Sequence, residues 1–194
     1  MRIGVLGGSF NPPHNGHLII ASDAYEALGL DRLYIIPAAA NPLKERHPHA
    51  PTAEQRLEMV RLTFGGDGRF EVSSIEIERG GLSYTVDTLE TLAGQHPEAE
   101  LVLLLGIDSL ETFDKWRRPV KIRELATLAA LTRGEGEEGV PEGVEIVTTR
   151  RIDVSSTEIR ARLAEGQPIR GFVAESVERF ISSAELYGDR GDAR

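Results

Sequence analysis

Two histidines three residues apart, His14 and His17, follow a loop near the start of the chain that begins with Gly7-Gly8. Around the first turn of a helix, side chains three positions apart point the same way. Imidazoles there can donate hydrogen bonds to phosphate oxygens, and the N–H groups of a helix N-terminus attract phosphate as well. The spacing therefore predicts a site that stabilises charge on a phosphorus centre.

Other phosphate loops and a zinc site fit the same residues poorly. The loop has no Gly-Lys-Ser/Thr, as a Walker loop requires, and it lacks the Gly-x-Gly-x-x-Gly spacing of dinucleotide-binding loops. Zinc would need a third ligand beside the two histidines. The helix offers no carboxylate at a suitable spacing, so no metal ligand is predicted. A glycine- and proline-containing turn with two incidental histidines is the remaining alternative.

A second group of polar residues lies at 153–160, with the sequence DVSSTEIR. Ser155 and Glu158 fit a capping box at the start of a helix. The same helix N-terminus, with the hydroxyls of Ser155, Ser156 and Thr157 and the guanidinium of Arg160, could instead hold a triphosphate. The segment alone favours the capping box, and the histidine pair in the same chain favours the triphosphate.

Four further residues are candidates for contacts with a second ligand or with a nucleoside. Lys44, one of only three lysines, follows the second predicted strand and is either a solvated loop residue or a phosphate contact. The segment 83–89, SYTVDTL, opens a helix at Tyr84 and Thr85, whose N–H groups could receive an acidic group. Trp116 lies among charged residues, an exposed context, and could stack on a flat ring rather than fill the core.

The elements that must position these residues alternate between strand and helix. This alternation predicts a single doubly wound parallel α/β sheet with helices on both faces, in which ligands sit beyond the carboxyl ends of the strands. Function is therefore expected just after Leu6, Pro37 and Leu105. Predicted strands are 2–6, 32–37, 70–77 (an edge strand), 101–105, 127–132 and 144–148; predicted helices are 16–28, 52–64, 84–95, 155–163 and 174–183.

Composition limits the classes of protein. The 194 residues, 40% hydrophobic and 27% charged, predict one domain over 1–187, a flexible tail over 188–194 and a solvated loop over 134–143. A net charge of −9 argues against nucleic-acid binding. The chain has no cysteine, so thiol chemistry is excluded. Its apolar runs are too short for a membrane span or a secretory signal, and we expect a cytoplasmic protein that can form homo-oligomers.

Two segments carry a resemblance to a known superfamily. Residues 8–17, GSFNPPHNGH, resemble the GSFDPxHxGH signature of the nucleotidylyltransferase superfamily, whose HxGH part is similar to the HIGH motif of class I aminoacyl-tRNA synthetases. Asn11 stands where the signature more often has Asp. Residues 153–160 resemble the second signature, ISSTxIR. The resemblance implies the Rossmann-like, HIGH-type nucleotidylyltransferase fold.

The segment SYTVDTL, the LLGIDSL run ending at Leu110, Trp116 and the terminal Leu186-Tyr187 resemble the family of bacterial nicotinate mononucleotide adenylyltransferases. The resemblance implies transfer of the adenylyl group of ATP to nicotinate mononucleotide, with Mg²⁺, giving nicotinate adenine dinucleotide (deamido-NAD) and pyrophosphate. Another acceptor, either nicotinamide mononucleotide or phosphopantetheine, and a non-catalytic ATP-sensing module are the alternatives.

The resemblance also implies roles for individual residues, and Asp108 is either a contact of the adenosine or a helix N-cap. The implied catalytic residues are His14, His17 and Arg160; the implied ATP contacts are Gly7, Gly8, Ser9, Phe10, Asp108, Ser155, Ser156 and Thr157; the implied acceptor contacts are Asn11, Lys44, Tyr84, Thr85 and Trp116.

Overall fold

A computed structural model describes residues 1–42, 50–133 and 140–188. Its centre is a six-stranded sheet in the order β3-β2-β1-β4-β5-β6, and every neighbouring pair is parallel. This is the doubly wound order. The chain adds β2 and β3 on one side of β1 and then β4, β5 and β6 on the other side, so the strand order reverses between β1 and β4. The predicted fold class is confirmed. The strands are β1 Arg2–Gly8, β2 Arg32–Pro37, β3 Phe70–Val72, β4 Glu100–Gly106, β5 Thr127–Arg133 and β6 Glu145–Thr149.

Eight helices connect and flank these strands in the described part of the chain, and a short 3-10 helix, Phe113–Lys115, lies between the fifth and the sixth. The five predicted helices are present, with both ends within one residue of the prediction. None of the described helices is long and apolar enough to cross a membrane. The helices are α1 Asn15–Ala27, α2 Ala53–Phe64, α3 Ile75–Arg79, α4 Thr85–Gln95, α5 Ile107–Glu111, α6 Pro119–Leu125, α7 Ser156–Ala164 and α8 Glu175–Ser183.

The strand predicted over 70–77 is wrong beyond Val72. The hydroxyl of Ser73 accepts a hydrogen bond from the N–H of Ile75, and Ser74 bonds to the Glu78 carboxylate, so local side-chain contacts start α3 there. Serines compete in this way with a strand ladder. The remaining three residues pair only with β2, at the sheet edge.

Both faces of the sheet are covered, as expected for parallel strands rich in Leu, Ile and Val. On one face β1 and β4 pack against α4 and α6 through residues such as Val5, Leu89 and Ile122. On the other face Val102 and Phe64 belong to the cluster that includes α1 and α2. The central strands are therefore fixed, and so are the loops that leave their carboxyl ends.

A third cluster joins the C-terminal helices to the rest of the fold. Met59 on α2 is fully buried among apolar residues of α7, α8 and the segment between them. This cluster holds α7 beside the loop that follows β1. Its other buried members are Ile159, Ile169, Val173, Val177 and Ile181.

Candidate active site

A cavity of about 450 Å³ opens at the carboxyl ends of β1, β2 and β4, where the strand order reverses. Open α/β sheets bind ligands at this position. Its walls come from the three segments that follow Leu6, Pro37 and Leu105, and from the start of α4. They include Gly7, Gly8, Ser9, Asn41, Ser83, Tyr84, Thr85, Asp108, Lys115 and Trp116.

Trp116 lies in the cavity wall and also packs against the core. Its ring is half-buried, and its centroid lies 5.6 Å from that of Phe113. The charged neighbours of Trp116 are exposed, as expected, whereas Trp116 itself is half-buried. The Nε1 atom is buried and has no hydrogen-bond partner among the described residues. A buried donor beside an open cavity is suited to a ligand that brings an acceptor.

The start of α4 forms the adjoining wall. Ser83 fastens it to the loop after β2, because its hydroxyl accepts from the N–H of Ala39 at 2.9 Å and its own N–H donates to the Ala40 carbonyl. Tyr84 is the N-cap residue and makes no side-chain cap hydrogen bond. The guanidinium of Arg117 lies 4.6 Å from the centroid of the Tyr84 ring. The first turn of α4 is thus held with its N-terminal end at the cavity.

Asp108 is the second residue of α5, and Gly106 is the N-cap, so the N-cap alternative for Asp108 is wrong. Asp108 lines the same cavity as Trp116 and Ser9, so the cavity holds predicted contacts of both substrates. Lys44, a predicted acceptor contact, lies outside the described residues. The tail predicted from 188 is likewise outside them except for Gly188, and so is the loop over 134–143 up to residue 139.

The two histidines meet as the spacing predicts. His14 is the N-cap of α1, and the two ring centroids lie 3.7 Å apart. The backbone N–H of His14 donates to Nδ1 of His17 at 3.2 Å. A neutral imidazole that accepts at Nδ1 carries its proton on Nε2. His17 is therefore oriented to donate from Nε2.

Phe10, which the resemblance assigns to ATP, is a buried residue. Its ring is 3% exposed and packs edge-on against Phe64 and His17, with centroid distances of 6.3 Å and 5.1 Å. The φ angle of Phe10 is 45°, an uncommon value for a residue other than glycine. The Phe10 ring therefore packs against His17, and its predicted contact with ATP stays a prediction.

The start of α7 lies against the loop after β1, which brings the two predicted signatures together. The Ser156 hydroxyl donates to the Pro12 carbonyl at 2.8 Å, and Nη1 of Arg160 donates to the Asn11 carbonyl at 2.7 Å. Asn11 is not among the residues that line the cavity, and its predicted contact with the acceptor stays a prediction. It lies on the histidine side of the site.

The other two hydroxyls of this segment already have protein partners. Ser155 caps α7 by accepting from the N–H of Glu158 at 3.1 Å, and Thr157 accepts from Nη2 of Arg160 at 3.2 Å. The predicted N-cap is thus present beside the predicted phosphate-binding groups. Both interpretations of the segment describe the same helix end.

Arg56 was not predicted as a site residue. It links the loop after β1 to the loop after β2, and these two are the ligand loops. It is 8% exposed and donates to the carbonyls of Ser9, Ala38 and Ala39 at 2.8, 2.6 and 3.0 Å. The available signal was its place on the buried face of α2, four residues before Val60. A planar guanidinium with several donors is suited to holding three carbonyls at once.

The comparisons with known proteins agree with this geometry. Residues 5–162 match the family model described as cytidylyltransferase-like. A probable nicotinate-nucleotide adenylyltransferase of Gemmatimonas aurantiaca is 46% identical, and the alignment covers 100% of this chain and 96% of that protein. One of Thermus thermophilus is 44% identical, covering 96% and 100%. The chain belongs to the nicotinate-nucleotide adenylyltransferase family.

Solved structures support the fold of this family member. Nicotinic acid mononucleotide adenylyltransferase of Plasmodium falciparum, complexed with NaAD, superposes with a TM-score of 0.80 at 17% identity, covering 96% of this chain and 97% of that one. A putative nicotinate-nucleotide adenylyltransferase of Vibrio parahaemolyticus gives a TM-score of 0.70 at 22% identity, covering 96% of each chain. At such identities the likeness concerns the fold.

Proposed function

We propose that this chain transfers the adenylyl group of ATP to nicotinate mononucleotide, producing nicotinate adenine dinucleotide and pyrophosphate. The observation that carries the proposal is the contact between α7 and the loop after β1, next to the cavity at the strand reversal. The names of the full-length relatives support it. Because the reaction consumes ATP, we place it in the cytoplasm.

In this reaction the acceptor supplies its own nucleophile. A phosphate oxygen of nicotinate mononucleotide attacks the α-phosphorus of ATP, and the bond from that phosphorus to the oxygen bridging to the β-phosphorus breaks. No side-chain nucleophile is needed, so catalysis depends on positioning and charge stabilisation. We assign Nε2–H of His17 to the α-phosphate. Ser156 and Arg160 are assigned to the remaining phosphates, whose oxygens would replace the loop carbonyls as their hydrogen-bond acceptors.

Magnesium is proposed to arrive with the nucleotide. No three His, Asp or Glu side chains in the described ranges gather into a metal-binding group. Mg²⁺ commonly keeps several waters and binds phosphate oxygens, so a site with few protein ligands is compatible with it. Bound there, it would neutralise charge on the departing pyrophosphate. Asp108 is the carboxylate of this cavity that we assign to ATP, the role that the resemblance implies.

Selectivity for the acid over the amide is the expected property of this cavity. The N-terminus of α4 presents N–H donors and a partial positive charge, which favour a carboxylate. An amide NH₂ facing those donors would leave a buried polar group without a partner, costing about 1–3 kcal/mol. Trp116 stacks on either ring equally. We therefore expect kcat/KM for nicotinate mononucleotide to exceed that for nicotinamide mononucleotide by at least about tenfold, or ~1.4 kcal/mol.

Pyrophosphate release with ATP, magnesium and each acceptor in turn tests both statements. Equal efficiencies for acid and amide would contradict the role assigned to the α4 terminus. Release with phosphopantetheine alone would make the chain a transferase for another acceptor. Tight ATP binding without release in any arm would make it an ATP-sensing protein.

Gly16 provides a test of the histidine geometry. A Cβ at this position would lie 2.9 Å from Nδ1 and 3.0 Å from Cε1 of the His14 ring, so alanine must displace that ring. We expect Gly16→Ala to lower kcat about tenfold, a barrier increase of ~1.4 kcal/mol, with the fold retained. Steady-state kinetics and thermal unfolding measure the two effects.

Gly94→Ala is the matched control, since Gly94 also lies in a helix and its added Cβ would meet nothing within 4 Å. Alanine there should leave turnover unchanged and raise stability by about 0.5–1 kcal/mol through helix propensity. A Gly16→Ala protein with wild-type kcat would show that the position of the His14 ring is unimportant.

A further inference from the structure

The described chain ends in a sharp turn that returns to the nucleotide side of the site. After α8, Glu185 and Tyr187 have φ angles of 49° and 62°, in the left-handed region that non-glycine residues rarely adopt. Leu186 and Tyr187 pack against the third apolar cluster. The turn carries the Tyr187 hydroxyl to Asn11, where it donates to Oδ1 at 2.6 Å.

Asn11 is therefore held at two atoms by two different elements. Tyr187 binds its side-chain oxygen and Arg160 binds its backbone carbonyl. The next carbonyl, that of Pro12, accepts from Ser156. Two residues farther on, His14 is the N-cap of α1. A short turn thus joins Phe10, with its left-handed backbone, to His14, the N-cap of α1. Hydrogen bonds from α7 and from Tyr187 hold the middle of this turn.

The hydroxyl of Tyr187 keeps its proton under ordinary conditions. Burial raises the pKa of Tyr187 above the usual value for a phenol, and the guanidinium charges of Arg160 and Arg56 oppose this more weakly. Because the Tyr187 hydroxyl donates its proton, its partner must be an acceptor, which in the Asn11 amide is the oxygen. The NH₂ group of the amide therefore faces away from Tyr187. One hydrogen bond thus selects one of the two orientations of this amide.

We propose that Tyr187 is a positioning residue of the nucleotide site, which acts by holding the Asn11 amide and, through it, the turn between Phe10 and His14. The role rests on the proposed adenylyl transfer, because its effect on catalysis passes through the groups assigned there. It differs from simple anchoring of the C-terminus, which Leu186 and the apolar cluster also provide.

A double-mutant cycle separates positioning from anchoring. Tyr187→Phe removes only the hydroxyl, and we expect kcat to fall about fivefold while the melting temperature falls by no more than about 3 °C. In an Asn11→Ala background the same change should have no further effect on kcat. In an Asn11→Asp background, where an acceptor oxygen remains, the full effect should return.

Tyr34→Phe is the control, because it also removes the hydroxyl of a buried tyrosine. That hydroxyl bonds to His96 at the C-terminal end of α4, far from the loop after β1. It should leave kcat unchanged. Equal losses from Tyr187→Phe in the wild-type and Asn11→Ala backgrounds would overturn the proposal. So would a Tyr187→Phe protein that matches wild type in kcat.

Hydrogen exchange on the substrate-free protein gives a second measure that does not depend on activity. Tyr187→Phe should speed exchange in peptides covering residues 8–17, and Tyr34→Phe should not. If the wild-type protein transferred no adenylyl group to any acceptor, the proposed function would fail and this measurement would still decide whether Tyr187 orders the turn. Unchanged exchange in the Tyr187→Phe protein would overturn the positioning role.

Discussion

Replacing His17 with alanine is expected to lower kcat by about 10²-fold or more, while the affinity for ATP changes much less. The Nε2–H donor is assigned to charge that develops on the transferring phosphoryl group, so its loss raises the barrier more than it weakens ground-state binding. The structure supports the donor assignment, because Nδ1 already accepts from the N–H of His14. Turnover and ATP binding, measured separately, show the split.

His96→Ala provides the matching histidine control. His96 caps the far end of α4 and contacts the Tyr34 hydroxyl at 3.1 Å, so its loss affects packing away from the site. Its turnover should stay at the wild-type value. If His17→Ala and His96→Ala both turn over within twofold of wild type, His17 has no part in the chemistry.

Replacing Arg56 with lysine is expected to reduce kcat/KM about 10²-fold, equivalent to ~2.7 kcal/mol. A lysine keeps the charge, but its single ammonium cannot reproduce the guanidinium fork that holds Ser9, Ala38 and Ala39. Each buried carbonyl left without its donor costs about 1–3 kcal/mol. Both ligand loops then lose their fixed separation, so the apparent affinities for both substrates fall together.

Arg61→Lys on the same helix is the control, since Arg61 is exposed and contacts only Glu58, at 3.9 Å, among the ion pairs of the described residues. It should change neither kinetics nor the melting temperature. A loss confined to one substrate in Arg56→Lys would show that Arg56 serves one loop rather than both. Wild-type kinetics would show that the carbonyl contacts do not position the site.

The parts of the fold that could be predicted are those decided by local physics. The strand at Arg32–Pro37 is an apolar run with the predicted bounds, and Thr52 with Gln55 forms the expected reciprocal cap of α2. Both signals lie within a few neighbouring residues. The segment from Ile107 to Leu125 folds into two short helices and a 3-10 helix that no long periodic pattern announces. Two residues offered a signal there: Asp108, as a possible helix N-cap, and Pro119, at the first turn of α6.

The same distinction applies to the site. The meeting of His14 and His17 follows from helix geometry, and a resemblance located the second signature. Arg56 and Tyr187 escaped because their partners are carbonyl and amide groups brought close only by tertiary packing. The charged neighbours of Trp116 predict an exposed context, and those neighbours are exposed, but the Trp116 ring itself is half-buried against the core. The composition of a short segment does not show which of its side chains face the core and which face solvent.

The contacts that hold the loop after β1 decide when the site can form during synthesis of the protein. Those from Ser156, Arg160 and Tyr187 bridge 144, 149 and 176 positions of sequence. Translation releases both histidines early, and the loop gains these contacts only when nearly the whole chain has left the ribosome. A message with a stop codon before Ser156 would therefore yield a fragment that contains both histidines and performs no adenylyl transfer.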